Sequence, residues 1–353
     1  MREINYSDTK NKTLSNKNYC AIDIAKFVAA IFVMFIHYSS LFSNKWTELF
    51  FVNVLCRYAV PFFFISTGFF LFKKIKFKNG KMEKSVENYK IFLKYEIRIV
   101  ILYMIWSIIY GALRLYEYFA SNVDYSFLKD YIVSLFFVGS YYHLWYLLSV
   151  IIALPVIYLI LSFVKVKCAI VGAVILYILG TVAYAYYWLP NITIYVELCD
   201  TSQILGIALS RALPLIIISL ILINYKPLSK KLSIGLLVIC ISLNIVEVLL
   251  LNLFTENTSN YSYIVTTLPL SICVFSVLSN INITINKKAC SYMRKFSTII
   301  YCVHPLVYYF VNMLTFPTLW MNFGLSLIIC LAFSFLLTWL SDLKYGKFLK
   351  YLY

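Results

Sequence analysis

Charge is scarce in this chain: only 13% of its 353 residues are Asp, Glu, Lys or Arg. An ordinary soluble domain carries about a quarter, so that class is excluded. Histidine occurs three times, as His37, His143 and His304. The Gly-dependent devices of soluble nucleotide and hydrolase chemistry are missing: there is no Walker loop, no G-x-G-x-x-G and no G-x-S-x-G, and H-E-x-x-H is absent too. A metal site would need ligands from segments that no local spacing brings together, so no metal is expected. The nine cysteines form no C-x-x-C pair and mostly fall inside apolar runs. Free structural thiols are the expectation, rather than a disulfide framework. A cleavable signal peptide is not expected, because the first apolar run is too long and no small-x-small site follows it.

What the chain has in excess is apolar side chains, 62% of the total. They come in continuous rather than alternating runs, which excludes an outer-membrane barrel and predicts an all-α, polytopic membrane helix bundle. Ten spans can be drawn, at about 20–42, 50–72, 97–116, 143–164, 168–188, 202–224, 232–254, 261–281, 297–315 and 320–341. Domain organisation follows: a tail over 1–19, one transmembrane domain over 20–341 and a tail over 342–353. Of the 31 Lys and Arg, only Lys45, Arg114 and Lys129 fall in one set of loops, and Lys26, Arg57 and Arg211 fall within spans. The remainder lie in the two tails and the alternate loops, so the N and C termini are predicted to be cytoplasmic. The formal charge of +16 is therefore a topology signal, with membrane lipids and not nucleic acid as its partner. The lysine-rich stretch 73–98 reads as a loop that fixes topology and touches anionic lipid, or else as a docking surface for a cytosolic polyanion. The outward stretch SFLKDYIVSLFFVG predicts a short interfacial helix before His143.

Titratable residues inside spans are costly and usually retained for a task. The first span, CAIDIAKFVAAIFVMFIHYSSLF, carries Asp23, Lys26 and His37. Lys26 and His37 are eleven residues apart, which puts them on one stripe of a helix about 16 Å apart along its axis. His143 opens the fourth span in YYHLWYLL, where the aromatic belt is a competing explanation. His304 precedes Pro305, which leaves the Tyr301 carbonyl without its helical donor. Arg57 and Arg211 precede Pro61 and Pro214. Each either pairs with Asp23, Glu247 or a freed carbonyl, or binds an anion such as a phosphate or carboxylate.

At these residues the sequence resembles the acyltransferase-3 family of integral membrane acyltransferases, which includes bacterial O-acetyltransferases of envelope polysaccharides. IDIAKFVAAIFVMFIH (22–37) is similar to the family's I-D-x-x-R-x10-H opening. RYAVPFFFISTGFFLFKK (57–74), HLWYLLSVI (143–151) and STIIYCVHPLV (297–307) resemble its R-x-x-V-P-x-F-F-x-x-S-G, H-L-W-F/Y-L and S-x-x-I-Y-x-x-H blocks, in family order. Two departures stand out. The family's Arg is Lys26, which keeps the charge and loses the bidentate fork, and its Ser-Gly is Ser66-Thr67-Gly68.

The resemblance implies a membrane O-acyltransferase that moves an acyl group, with acetyl expected, from cytoplasmic acyl-CoA to a hydroxyl of an extracytoplasmic envelope glycan or lipid-linked sugar. His37 would be the catalytic residue, as general base or transient acyl carrier, since an imidazole pKa near 6.5 suits either role. Lys26, Arg57 and Arg98 would hold the acyl-CoA, and Asp23, His143, Arg211 and His304 the acceptor. The expected location is a bacterial-type plasma membrane, crossed many times; a homo-oligomer is admitted. The membrane part of vancomycin-type serine racemases also resembles this family. A transporter of serine-like molecules is therefore the alternative, against which weigh the lack of an inverted repeat and of Gly-rich unwound breaks.

Overall fold

The computed structural model describes residues 19–38, 41–121, 127–186, 203–224, 229–254, 261, 263–283, 285–314, 316–343 and 345–353. Nearly all of them are helical. Eight described helices are long and apolar enough to cross a membrane: α1 (Cys20–His37), α2 (Lys45–Phe72), α3 (Val86–Ser121), α5 (Trp145–Phe163), α6 (Val166–Ala185), α7 (Leu205–Asn224), α8 (Lys230–Phe254) and α11 (Leu319–Asp342). Two more complete the bundle, the shorter apolar α9 (Thr267–Asn280) and the amphipathic α10 (Lys287–Asn312), whose first turns carry Lys287, Lys288, Arg294 and Lys295. The short helix expected before His143 is α4 (Phe127–Phe137).

α1 is the partition between two cores. Its Ile22, Ala29 and Val33 pack into one cluster with α2, α5, α6, α7 and α9. Its Ala30, Met34 and Tyr38 pack into a second cluster with α3, α10 and α11. The outer surface is apolar, as bilayer contact requires: Ile234, Val238 and Leu250 of α8 are all exposed.

Several boundaries differ from expectation, each for a tertiary or local reason. α1 ends at His37 itself, not near Phe42. The lysine-rich stretch 73–98 is a loop only as far as Ser85, because α3 begins at Val86. Before it stands a two-residue hairpin, with Phe77 opposite Met82 and Lys78 opposite Lys81. Asn79 and Gly80 form its turn at φ 52° and 72°, the conformation that an Asn-Gly pair supplies. Buried Asn88 clamps the hairpin's base, accepting from Lys76 N and donating to the carbonyls of Lys76 and Glu83. The C-terminal stretch is docked: Leu352's carbonyl accepts from Trp106 Nε1 at 3.1 Å, and Tyr353's hydroxyl meets Ser341 Oγ at 2.6 Å. The N-terminal tail lies outside the described residues. Finally, Cys20 and Cys290 form a disulfide with their Cα atoms 5.3 Å apart, where free thiols were expected. They are 270 residues apart in sequence, so only the packing of α10 along α1 brings them together.

Gly68 shows how tightly α2 meets α7. A Cβ there would lie 2.4 Å from the Ile216 carbonyl oxygen, a backbone atom that cannot yield. Small residues allow this approach between membrane helices. Gly68→Ala is expected to destabilise the protein by roughly 1–3 kcal/mol, lowering the thermal unfolding temperature in detergent. Gly172→Ala, whose Cβ meets nothing within 4 Å, should leave it unchanged.

Candidate active site

Where α1 ends, α2, α5 and α7 leave a cavity of about 120 Å³ lined by His37, Arg57, His143, Tyr146, Arg211 and Tyr301, among others. The local sequence explains why polar groups reach it. His37 is the last residue of α1, so the helix delivers its ring to the point where the regular backbone stops. Arg57 lies on a 3₁₀ turn, Cys56–Tyr58, that follows a π-helical stretch, Glu48–Leu55. Arg211 lies in a second π-helical turn, Ala208–Ala212. Such turns shift the register of a helix and turn side chains away from the regular stripe. Pro61 and Pro214 sit just beyond them. Pro214 cannot donate to the carbonyl of Ser210, and the hydroxyl of Tyr263 takes that acceptor instead.

All three histidines of the chain meet at this place. The rings of His37 and His304 stack with centroids 5.3 Å apart and an interplanar angle of 24°. His143 stands edge-on to His304, also at 5.3 Å. His143 is only 2% exposed, so it is not a member of an interfacial belt. It precedes α5 in a turn, where its carbonyl accepts from the Tyr301 hydroxyl at 2.5 Å. His304 Nδ1 bonds the Ile300 carbonyl at 3.0 Å. That bond requires the proton on Nδ1 and leaves Nε2 as an acceptor.

The kink at Pro305 has a specific filler. Tyr110, fully buried on α3, donates its hydroxyl hydrogen to the Cys302 carbonyl at 2.7 Å and accepts from Leu306 N at 3.3 Å. The phenol thus contacts both the donor and the acceptor of the turn that carries His304 and Pro305.

The remaining sequence candidates lie at the other, lysine-rich end of α1. Asp23 is buried and pairs with Arg294 at 3.4 Å, not with Arg57 or Arg211. The ammonium of Lys26 sits 4.4 Å from the centre of the Phe70 ring. Arg98 lines a second cavity of about 510 Å³ with Lys295, Lys347, Lys350, Tyr351 and Tyr353. The structure therefore gathers His37, His143, His304, Arg57 and Arg211 at one end and Asp23, Lys26 and Arg98 at the other. Arg57 joins the histidines and not the two cations with which it was grouped. Glu247 partners neither arginine; it accepts from the backbone N–H groups of Val265 and Thr266 at 2.9 and 2.8 Å. Among the described residues no set of three His, Cys, Asp or Glu is arranged to hold a metal. The aromatic walls, Tyr142 at 4.9 Å from His37 and Tyr146, Tyr263 and Tyr301, were not foreseen. The Tyr-Tyr pair before His143 was the available signal for the first of them.

The described helices form a membrane-type bundle with an imidazole cluster at one end and a basic cavity at the other. The chain belongs to the acyltransferase-3 family: a family model described as an acyltransferase domain matches residues 20–339. Two curated proteins of Enterococcus faecalis, each named amino-acid racemase, are 32% and 29% identical over 174 residues. Those alignments cover 49% and 48% of this chain and 23% of each relative, so they reach only a minor part of the relatives' length. No solved structure matches.

Tyr110→Phe tests the kink. It strips Leu306 N–H and the Cys302 carbonyl of their buried partner and is expected to cost about 1–3 kcal/mol, read as a lower midpoint in denaturant unfolding. Tyr309→Phe, whose ring meets its neighbour Phe310 and whose hydroxyl has no hydrogen bond to the Cys302–Leu306 turn, should fall within about 0.5 kcal/mol of wild type.

Proposed function

We propose that this membrane acyltransferase takes an acyl group, acetyl being the expected one, from acyl-CoA at the lysine-rich end and passes it to an acceptor hydroxyl at the other end. The acceptor class that fits this reading is an envelope glycan or lipid-linked sugar in a bacterial-type plasma membrane. The observation that carries the proposal is the meeting of all three histidines in one place, with His37 and His143 on the wall of the cavity at the end of α1. Arg98, Lys295, Lys347 and Lys350 offer the donor's phosphates a basic cavity, and Lys26 stands above it on the α1 stripe that leads to His37. The 16 Å or so between Lys26 and His37 is comparable to the reach of a pantetheine arm.

In the transfer, His37 takes the proton from the acceptor hydroxyl as its oxygen attacks the thioester carbon. The new C–O bond forms, the C–S bond breaks, and the imidazolium returns the proton to the leaving CoA sulfur. His304, stacked on His37 and fixed by Ile300, holds the ring in place. The reading is tested with purified protein in proteoliposomes, [14C]acetyl-CoA outside and acceptor inside. His37→Ala should lower transfer by about 100-fold or more with an unchanged unfolding temperature. Transfer at the wild-type rate in that variant would remove His37 from the chemistry.

A second reading, uptake of a serine-like amino acid, draws support from the two cavity arginines and from the relatives' name. Labelled serine accumulating in proteoliposomes without acyl-CoA would favour it.

A further inference from the structure

Two arginines line one small cavity deep in an apolar bundle. Each costs about 2.5–3.5 kcal/mol to place at membrane depth, and placing them together adds repulsion. Among the described residues no carboxylate lies within ion-pair distance of either; the four ion pairs all involve Lys76, Arg294, Lys295 or Lys350. Glu197 and Asp200 fall outside the described residues. Arg57 spends one donor, Nε, on Asn53 Oδ1 at 3.2 Å. Arg211 lies against two aromatic rings, its guanidinium carbon 4.0 and 4.6 Å from the centres of Tyr184 and Tyr263, which stand edge-to-face to each other 6.3 Å apart. Aromatic rings stabilise a guanidinium's charge without neutralising it as a carboxylate would. Both arginines are carried by non-α turns, a local cost that ordinary helix packing does not demand. The cavity, at about 120 Å³, holds on the order of ten water-sized positions: room for one compact group, not for a polymer segment.

We infer that Arg57 and Arg211 form a binding site for an oxyanion, so that the acceptor acylated at His37 carries a carboxylate or phosphate ester close to its reacting hydroxyl. The site rests on the acyltransferase reading for its role and on the arginine geometry for its existence. A planar fork matches either anion with paired N–H donors. Fixing the anion between the two guanidinium groups would hold the neighbouring hydroxyl against the imidazole, so that charge selects the acceptor and positions it in one contact.

The experiment uses the full chain in phosphatidylcholine nanodiscs at fixed ionic strength, with two pairs of probes matched except for charge: glycerol 3-phosphate against glycerol, and galacturonate against galactose. Binding is read as the shift in thermal unfolding temperature, which needs no turnover; transfer is read from [14C]acetyl-CoA. The expected result is that at least one acidic probe stabilises the protein at a tenfold lower concentration than its neutral partner and is preferred at least tenfold as acceptor. Arg211→Gln and Arg57→Gln should each erase that preference, and Arg211→Lys should restore part of it. Stabilisation by an acidic probe without any transfer supports the anion site and counts against the acyltransferase reading alone. Equal responses to the acidic and neutral members of both pairs overturn the anion site, as does a preference that survives both substitutions. A loss of rate in the variants that is the same for acidic and neutral acceptors also overturns it, since it would assign the arginines to the oxyanion of the acyl transfer.

Discussion

A helix flanked by protein on two sides has to settle its polar side chains inside the protein, and α1 is such a helix. Lipid offers no hydrogen bonds and little screening, so each charged or titratable group on α1 must find its partner among neighbouring helices. Asp23 meets Arg294, Lys26 meets the face of Phe70, and His37 meets His304 and Tyr142. The neighbours are consequently placed by what α1 carries. α10 supplies both Arg294 and His304, two positions ten residues apart, and it does so because it lies along α1 over most of its length. The Cys20–Cys290 disulfide ties the same two helices at the lysine-rich end, so the histidine pair at the far end closes a contact already set by packing below it.

α10 departs from a regular helix where it contributes chemistry. Pro305 removes one donor, and beside it the Tyr110 hydroxyl from α3 bridges Cys302 and Leu306. His304 lies within that bridged turn. Its ring is thereby tied to a third helix that makes no direct claim on the cavity. A related device occurs on α7, where Tyr263 stands beside Pro214. On α7 the tyrosine takes the very carbonyl that proline leaves free, whereas on α10 it bonds the carbonyl and N–H one position further along, beside His304.

Much of this was legible in sequence because it is local or periodic. The spans follow from hydropathy, the Lys26–His37 stripe from the helical repeat, and α4 from an apolar stretch between polar ones. The order of the motifs from 22 to 307 was enough to mark all three histidines. What the sequence did not display is tertiary. The meeting of His143 with His304 joins positions 161 residues apart, and the grouping of Arg57 with the histidines rather than with Lys26 and Arg98 depends on how α2 packs at the end of α1. The π-helical turns carry no compositional mark, since no glycine run announces them. The hairpin at 77–82 is a different case: Asn79-Gly80 is a recognisable turn signal, masked by the lysines around it, which drew attention to charge and not to backbone.

The two ends of α1 differ in how they treat positive charge. At the lysine-rich end the cations are numerous, exposed in part, and share Asp342 and Asp23 as counter-charges. Solvent and lipid headgroups can screen them, so their cost is low. At the histidine end there are only two cations on the cavity wall. Neither has a described counter-charge, and aromatic rings take the place of carboxylates around Arg211. A ring stabilises a guanidinium without neutralising it, and that distinction matters for catalysis. A carboxylate partner would cancel the field beside His37, whereas the two tyrosine rings leave it in place. The arrangement keeps positive charge on the cavity wall that His37 shares, with no described carboxylate to neutralise it, which is the condition that the proposed anion site requires.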